Sequence, residues 1–356
     1  MVVRVFGISI VVTIVSLIVA FLYGGPEALI LCAILGILEV SLSFDNAVIN
    51  ATVLRRMSEF WQKIFLTIGI IIAVFGMRLV FPLVIVWVTA GLTPVRAFDL
   101  ALNPPPEGSG QQSYEQLLTD AHPSIAAFGG MFLLMLFLNF IFEDREITWL
   151  SWLEKPLAKI GKLDQLSVVV AGIALVLAAE FGAADDDRST VLLSGILGLI
   201  TYIAVDGLGS MFHPEDHTGP SDVAVATGKA GFFLFLYLEV LDASFSFDGV
   251  IGAFAITADP IIIALGLGFI GAMFVRSITV YLVRKGTLSE YVYLEHGAHW
   301  AIGALAAILL VSIGIHVNEI ITGLVGVVLI GAAWITSVMR NRKAAAEEVS
   351  LDKVDV

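Results

Sequence analysis

The chain has 356 residues, 58% of them hydrophobic and 14% charged, with a mean hydropathy of +0.95; soluble domains carry about 25% charged residues, so an ordinary water-soluble globule is excluded and an integral membrane protein is predicted. A net charge of −13 excludes nucleic acid as a partner, because phosphate binding needs a basic surface. One cysteine, Cys32, excludes an internal disulfide and any multi-thiolate metal site.

A spanning helix takes about 20 apolar residues. Ten segments qualify: approximately 3–23, 28–54, 63–91, 125–142, 166–182, 189–211, 229–257, 260–283, 299–316 and 319–339. The expected fold is all-α, a polytopic transmembrane helical bundle of about ten helices. Val5 to Tyr23 is long for a signal peptide and lacks a small-residue cleavage site, so it reads as the first span. Residues 92–124 make a long connector with Asn103-Pro-Pro-Pro106 and a short helix around Tyr114 to Asp120. Loops of that length serve as lids or are disordered, and the sequence does not choose.

In 143–165, Ile147, Leu150, Leu153, Leu157 and Ile160 recur every three or four positions between charged residues, with Trp149 and Trp152 nearby. That pattern predicts a helix lying in the cytoplasmic interface. Further on, His213, Glu215, Asp216 and His217 share one polar loop. They could meet a metal, but spacing alone does not fix ligand geometry, and a plain polar loop is the commoner reading.

Basic residues fall on one side. Arg4, Arg55, Arg56, Lys63, Arg145, Lys155, Lys159, Lys162, Arg284, Lys285, Arg340, Arg342 and Lys343 occupy the termini and alternate loops, while the opposite loops hold only Arg96 and Arg188. The positive-inside bias therefore places both termini in the cytoplasm of a multi-pass cell-membrane protein. The outer loops carry Asp99, Glu107, Glu115, Asp120 and Asp185 to Asp187. Such acids could concentrate cations, although a solvated loop is the commoner reading of a charge run.

Two heptads stand out inside apolar runs: Glu39-Val-Ser-Leu-Ser-Phe-Asp45 and Asp242-Ala-Ser-Phe-Ser-Phe-Asp248. A carboxylate at bilayer centre costs about 2.5 to 3.5 kcal/mol on insertion scales, so its recurrence points to use. The first heptad lies in the second span and the other in the seventh. Five spans apart, they cross in opposite directions, which predicts inverted repeats with a site near the midplane. The expected division is 1–182, with its motif helix at 28–54, then 183–340, with its motif helix at 229–257, then a polar tail at 341–356. The span after each motif carries a lone basic residue, Arg78 or Arg276, which either pairs with the acids in packing or takes part directly.

Glu39, Ser43, Asn46 and Asn50 fall at i, i+4, i+7 and i+11, one polar stripe; Asp242 and Ser246 open the matching stripe, with Glu239 a turn earlier. The two stripes can face each other. Six residues of helix turn by roughly 600°, which leaves Asp45 about 120° from Glu39. Either the helices break near Ser43 and Ser246, or each final Asp meets another neighbour. Glu39, Asp45, Glu239, Asp242 and Asp248 supply five negatives against two positives, an excess that favours a cation. Carboxylate, hydroxyl and amide oxygens are hard ligands suited to Mn²⁺, Ca²⁺ or Mg²⁺. Small serines at these positions could equally serve close helix packing.

At these motifs the chain resembles the TerC family of membrane proteins, named for tellurium resistance, as a divergent branch. Glu39-Val-Ser-Leu-Ser-Phe-Asp-Asn46 is similar to its E-x-x-L-S-x-D-N element. Glu239-Val-Leu-Asp242 with Phe245-Ser-Phe-Asp248 is similar to E-x-x-D-x-x-F-x-x-D, and Arg276 sits where that family has an arginine. Here Gly249-Val-Ile251 replaces the family's Ser-Ile-Pro, so no proline kink carries over. The resemblance implies export of a divalent metal, chiefly manganese, exchanged for protons. Asp45, Asn46 and Asp248 are the expected ligands, Glu39, Glu239 and Asp242 further ligands or proton acceptors, and Ser43, Ser246, Arg78 and Arg276 supports. The expected partners are the bilayer, the metal ion and protons, with no organic cofactor. The rivals are a metal-binding scaffold or sensor without flux, and an intramembrane aspartyl protease, whose Tyr-Asp and Gly-x-Gly-Asp elements are absent.

Overall fold

The computed structural model describes residues 2–69, 71, 72, 76, 80–103, 105, 106, 110–211, 226–257, 259–285, 290–315, 317 and 319–352. Arg78, His213, His217 and His316 lie outside this set, as do the side chains of Asp45, Ser246 and Asp248. The described chain is all helical, with no strand and one isolated bridge between Met57 and Ala226.

Helix α1, Val2–Leu42, is two helices joined at a corner. Gly24 (φ −137, ψ 21) and Gly25 (φ 69, ψ −154) leave helical space, and Pro26 follows. Gly25 sits in a backbone region that only glycine occupies without strain. Pro26 lacks an N–H and starts the second half at no hydrogen-bond cost. Contacts with one later rod show the result. Ser277 donates to Val5 O, Ser9 donates to Met273 O, and Tyr23 reaches Asp259 at 2.9 Å. After the corner, a Cβ on Gly266 would meet Cys32 O, and one on Gly36 would meet Ile270. Partner numbers fall along the first half and rise along the second, so α1 is a hairpin clasping that rod.

Ser43 (φ −98, ψ 15) separates α1 from α2, Phe44–Leu54. Helix α3, Glu59–Ile64, runs into a π-helical turn, Phe65–Gly69. Then come α4, Phe81–Thr89; α5, Pro94–Leu102; and α6, Tyr114–Asp120. Helix α6 has the bounds its sequence predicts, held by a capping box between Ser113 and Gln116. The connector 92–124 thus carries two short helices, and Tyr114 and Leu118 of α6 bury against the α1 cluster.

The remaining elements are α7, His122–Phe142; α8, Ser151–Ile160; α9, Leu166–Phe181; α10, Arg188–Met211; and α11, Gly228–Ile256. Asp259 caps α12, Pro260–Ile263, through Ile261 N and Ile262 N. A π-helical stretch, Ala264–Gly271, joins it to α13, Ala272–Lys285. This is the rod that α1 clasps. Helices α14, Leu294–Ser312, and α15, Glu319–Asp352, close the bundle.

Among the described residues six helices are long and apolar enough to cross a membrane, which makes this a multi-pass membrane protein: Val5–Val40, His122–Phe142, Arg188–Gly207, Pro260–Val283, Leu294–Ser312 and Leu324–Lys343. Ten were expected, and each shortfall has a cause. The 36 residues of Val5–Val40 would reach about 54 Å if straight. The hydrocarbon core is about 30 Å, and the corner at Gly25 folds this length into two. Helix α9 has 16 residues, and the third expected span falls partly outside the described residues. Helix α11 has 29 residues, and several of its side chains from Ser246 onward fall outside the described set.

Helix α7 forms the centre. Met131, Phe132, Leu133 and Met135 pack with Ala298, Ala301 and Ile302 of α14 and Val48 and Ile49 of α2. A Cβ on Gly198 would come within 2.2 Å of Phe128 O, so glycine there sets the close approach of α10 to α7. The outward face of α10 exposes Leu193, Ile196, Leu197, Ile200 and Ile203 at helical spacing, a stripe suited to lipid.

Candidate cation site

The polar stripes meet. Ser43 Oγ donates to Glu39 Oε1 at 2.6 Å. Across the interface, Asn46 Nδ2 and Asn50 Nδ2 donate to the same oxygen, Asp242 Oδ1, at 2.6 and 3.0 Å. All are buried: Glu39 is 1% exposed, Asn46 and Asn50 2%, Glu239 6%, Ser43 and Asp242 7%. Two amide donors on one carboxylate oxygen are charge-assisted bonds, stronger than neutral ones.

Beside Asp242 lies a cavity of about 30 Å³, lined by Asn46, Asn50, Leu66, Asp242, Arg276 and Thr279 among others. A polar cavity of that size admits water. Both oxygens of Glu239, one turn before Asp242, have no hydrogen-bond partner among the described residues, and neither has Asn50 Oδ1. A buried carboxylate with no donor is costly, so Glu239 is open to a ligand or a proton. Arg276 Nε donates to Leu66 O at 3.0 Å, within the π-helical turn. A π-turn departs from the α-helical hydrogen-bond register, and here its carbonyl anchors the guanidinium.

The two π-helical segments play matching parts. A Cβ on Gly69 would sit 2.6 Å from Glu239 Oε1, and one on Gly271 would sit 2.0 Å from Glu39 Cγ. Each motif's neighbouring segment thus presents a glycine to the acid of the other motif. Gly271→Ala is expected to push Glu39 off Ser43 and to cost about 1 to 3 kcal/mol through overpacking. Thermal unfolding of the purified protein checks this, and an unchanged melting temperature would show that Glu39 relocates freely.

The sequence-predicted residues divide as follows. Glu39 with Ser43, Asn46 with Asp242, and Arg276 are brought into one region, with Glu239 beside them. Helix α2 carries Asp45, and α11 carries Ser246 and Asp248. Arg78 lies outside the described residues. Of the two breaks considered, the chain interrupts its helix at Ser43, but α11 runs unbroken through Ser246. A break in the second copy is therefore corrected: its helix continues from Gly228 to Ile256. Among the described residues no three of His, Cys, Asp and Glu converge in metal-holding geometry. His299 is core, stacked on Phe140 at 3.6 Å and bonded through Nδ1 to Glu295 O. Sequence reasoning left out Asn50 as a working donor, though it stood on the stripe, and gave no signal for Thr279, Gly69 or Gly271.

A family model described as "Protein of unknown function (DUF475)" matches residues 44–344. The chain belongs to the DUF475 family. No curated protein and no solved structure matches it. The DUF475 region begins at Phe44, the first residue of α2, and takes in Asn46, Asn50, Glu239, Asp242 and Arg276. Glu39 and Ser43 stand just ahead of the matched DUF475 segment.

Proposed function

We propose that this DUF475 chain transports a divalent metal ion, with manganese the expected cargo, export the expected direction, and proton exchange the coupling. The observation that carries the reading is Asp242, buried and held by Asn46 and Asn50 beside a small polar cavity, with Glu239, whose oxygens have no hydrogen-bond partner among the described residues, a turn away. A buried arrangement of oxygen groups with excess negative charge favours a hard cation. Asp45 and Asp248 complete the proposed ligand set with Asn46 and Asp242. Glu39 and Glu239 take protons as the metal leaves, and Arg276 balances the remaining charge. The resemblance to TerC motifs supports the same cargo. Crosswise packing of Gly69 on Glu239 and Gly271 on Glu39 supports two inverted repeats, 1–182 and 183–340, with the site between them. Both termini would then be cytoplasmic.

The test is flux in proteoliposomes under a pH gradient, comparing Mn²⁺, Ca²⁺, Mg²⁺ and Zn²⁺. The expected result is saturable, gradient-dependent Mn²⁺ movement that Asp248→Asn or Asp45→Asn abolishes. Calorimetric binding of Mn²⁺ with no flux would replace transport with a scaffold or sensor.

A further inference from the structure

Far from the acids in sequence, a cavity of about 280 Å³ opens between the end of α7, α8 and the start of α14. Its acids are engaged. Glu143 pairs with Arg145, and Asp144 lies 3.6 Å from Lys162. Glu154, 4% exposed, accepts from Trp149 N at 2.9 Å and Trp300 Nε1 at 3.1 Å, and lies 3.1 Å from His296 Nδ1. Lys155 and Lys159 also line the cavity and have no ion-pair partner among the described residues. The cavity therefore carries surplus positive charge.

The placement of those lysines on α8 identifies what they face. Going round the helix at about 100° per residue, buried Glu154 and Ala158 come first, then Lys155 and Lys159, then exposed Trp152 and Ile160. Trp152 is 74% exposed and Ile160 50%, on an amphipathic helix of a membrane protein. One side of α8 is thus docked on the bundle, one side suits acyl chains, and the lysines lie on the seam between them. In an interfacial helix that seam is at headgroup depth.

We infer that this cavity binds the headgroup phosphate of an anionic phospholipid, with Lys155 and Lys159 as its cationic contacts and Trp152 and Ile160 against its chains. Basic pockets beside transmembrane helices recognise lipid in this way. The site is separate from the cation site and does not depend on transport.

Native mass spectrometry tests it on the full chain, extracted from bilayers of equal phosphatidylglycerol and phosphatidylcholine. Roughly tenfold preferential retention of phosphatidylglycerol is expected, abolished in Lys155→Gln/Lys159→Gln and kept in Lys155→Arg/Lys159→Arg. Both lysines are exposed, so the Gln variant should melt like the wild type in phosphatidylcholine. Equal retention by the wild type and the Gln variant overturns the site, as does loss of lipid from the Arg variant. If inorganic phosphate raises the melting temperature in phosphatidylcholine as much as phosphatidylglycerol does, the occupant is a soluble anion and the lipid assignment falls.

Discussion

Asp242→Asn is expected to lower cation flux in proteoliposomes by about 100-fold, the upper range for disturbing a metal's immediate surroundings. The substitution keeps size and shape. It removes the negative charge that Asn46 and Asn50 both address, so two charge-assisted bonds to one carboxylate oxygen become two weaker neutral bonds to an amide oxygen. Folding should survive, because losing a buried charge offsets part of the lost bonding. The swapped pair Asn46→Asp/Asp242→Asn restores a carboxylate–amide bond across the interface and should recover the melting temperature. Wild-type flux from Asp242→Asn would remove this residue from the site.

The second large effect is structural. Glu154→Ala should destabilise the protein by about 3 to 5 kcal/mol, the usual result of removing one partner from a buried charged network. Trp149 N and Trp300 Nε1 would lose their acceptor, and His296 its neighbour. Because Trp149 also donates through Nε1 to Thr336 of α15, this network ties α8 to both α14 and α15. Glu154→Gln keeps one acceptor oxygen and should lose markedly less. Thermal unfolding separates the two variants, and proteolysis within 143–165 should rise in the Ala variant alone. Equal melting of Ala and wild type would mean that α8 is held by its apolar contacts.

Much of this was legible in the sequence. Apolar run length gave the helices, and the i, i+4, i+7 stripe gave the acids and amides that meet. The short helix around Tyr114 to Asp120 was legible as well, and its capping box shows that what holds it is wholly local. What escaped depends on tertiary contact. Glu154 lies among the polar positions of its segment, yet it is buried because Trp300 and His296, far along the chain, supply its partners. The π-helical segments escaped for the same reason: Gly69 and Gly271 acquire their meaning only where an acid from elsewhere occupies the space of a Cβ.

The clasp of α1 on the α12–α13 rod also bears on assembly. Ser9 and Ser277 are 2.6 Å apart in space but 268 residues apart in the chain. Synthesis runs from the N-terminus, so α1 enters the bilayer long before the rod exists. Until then Ser9, now fully buried, and Glu39, now packed on Gly271, have no rod to cover them. Contacts at such separation form late and slowly. The first acid of the motif to be made is therefore among the last to be enclosed, and nascent chains halted before Pro260 should be the form that membrane quality control removes.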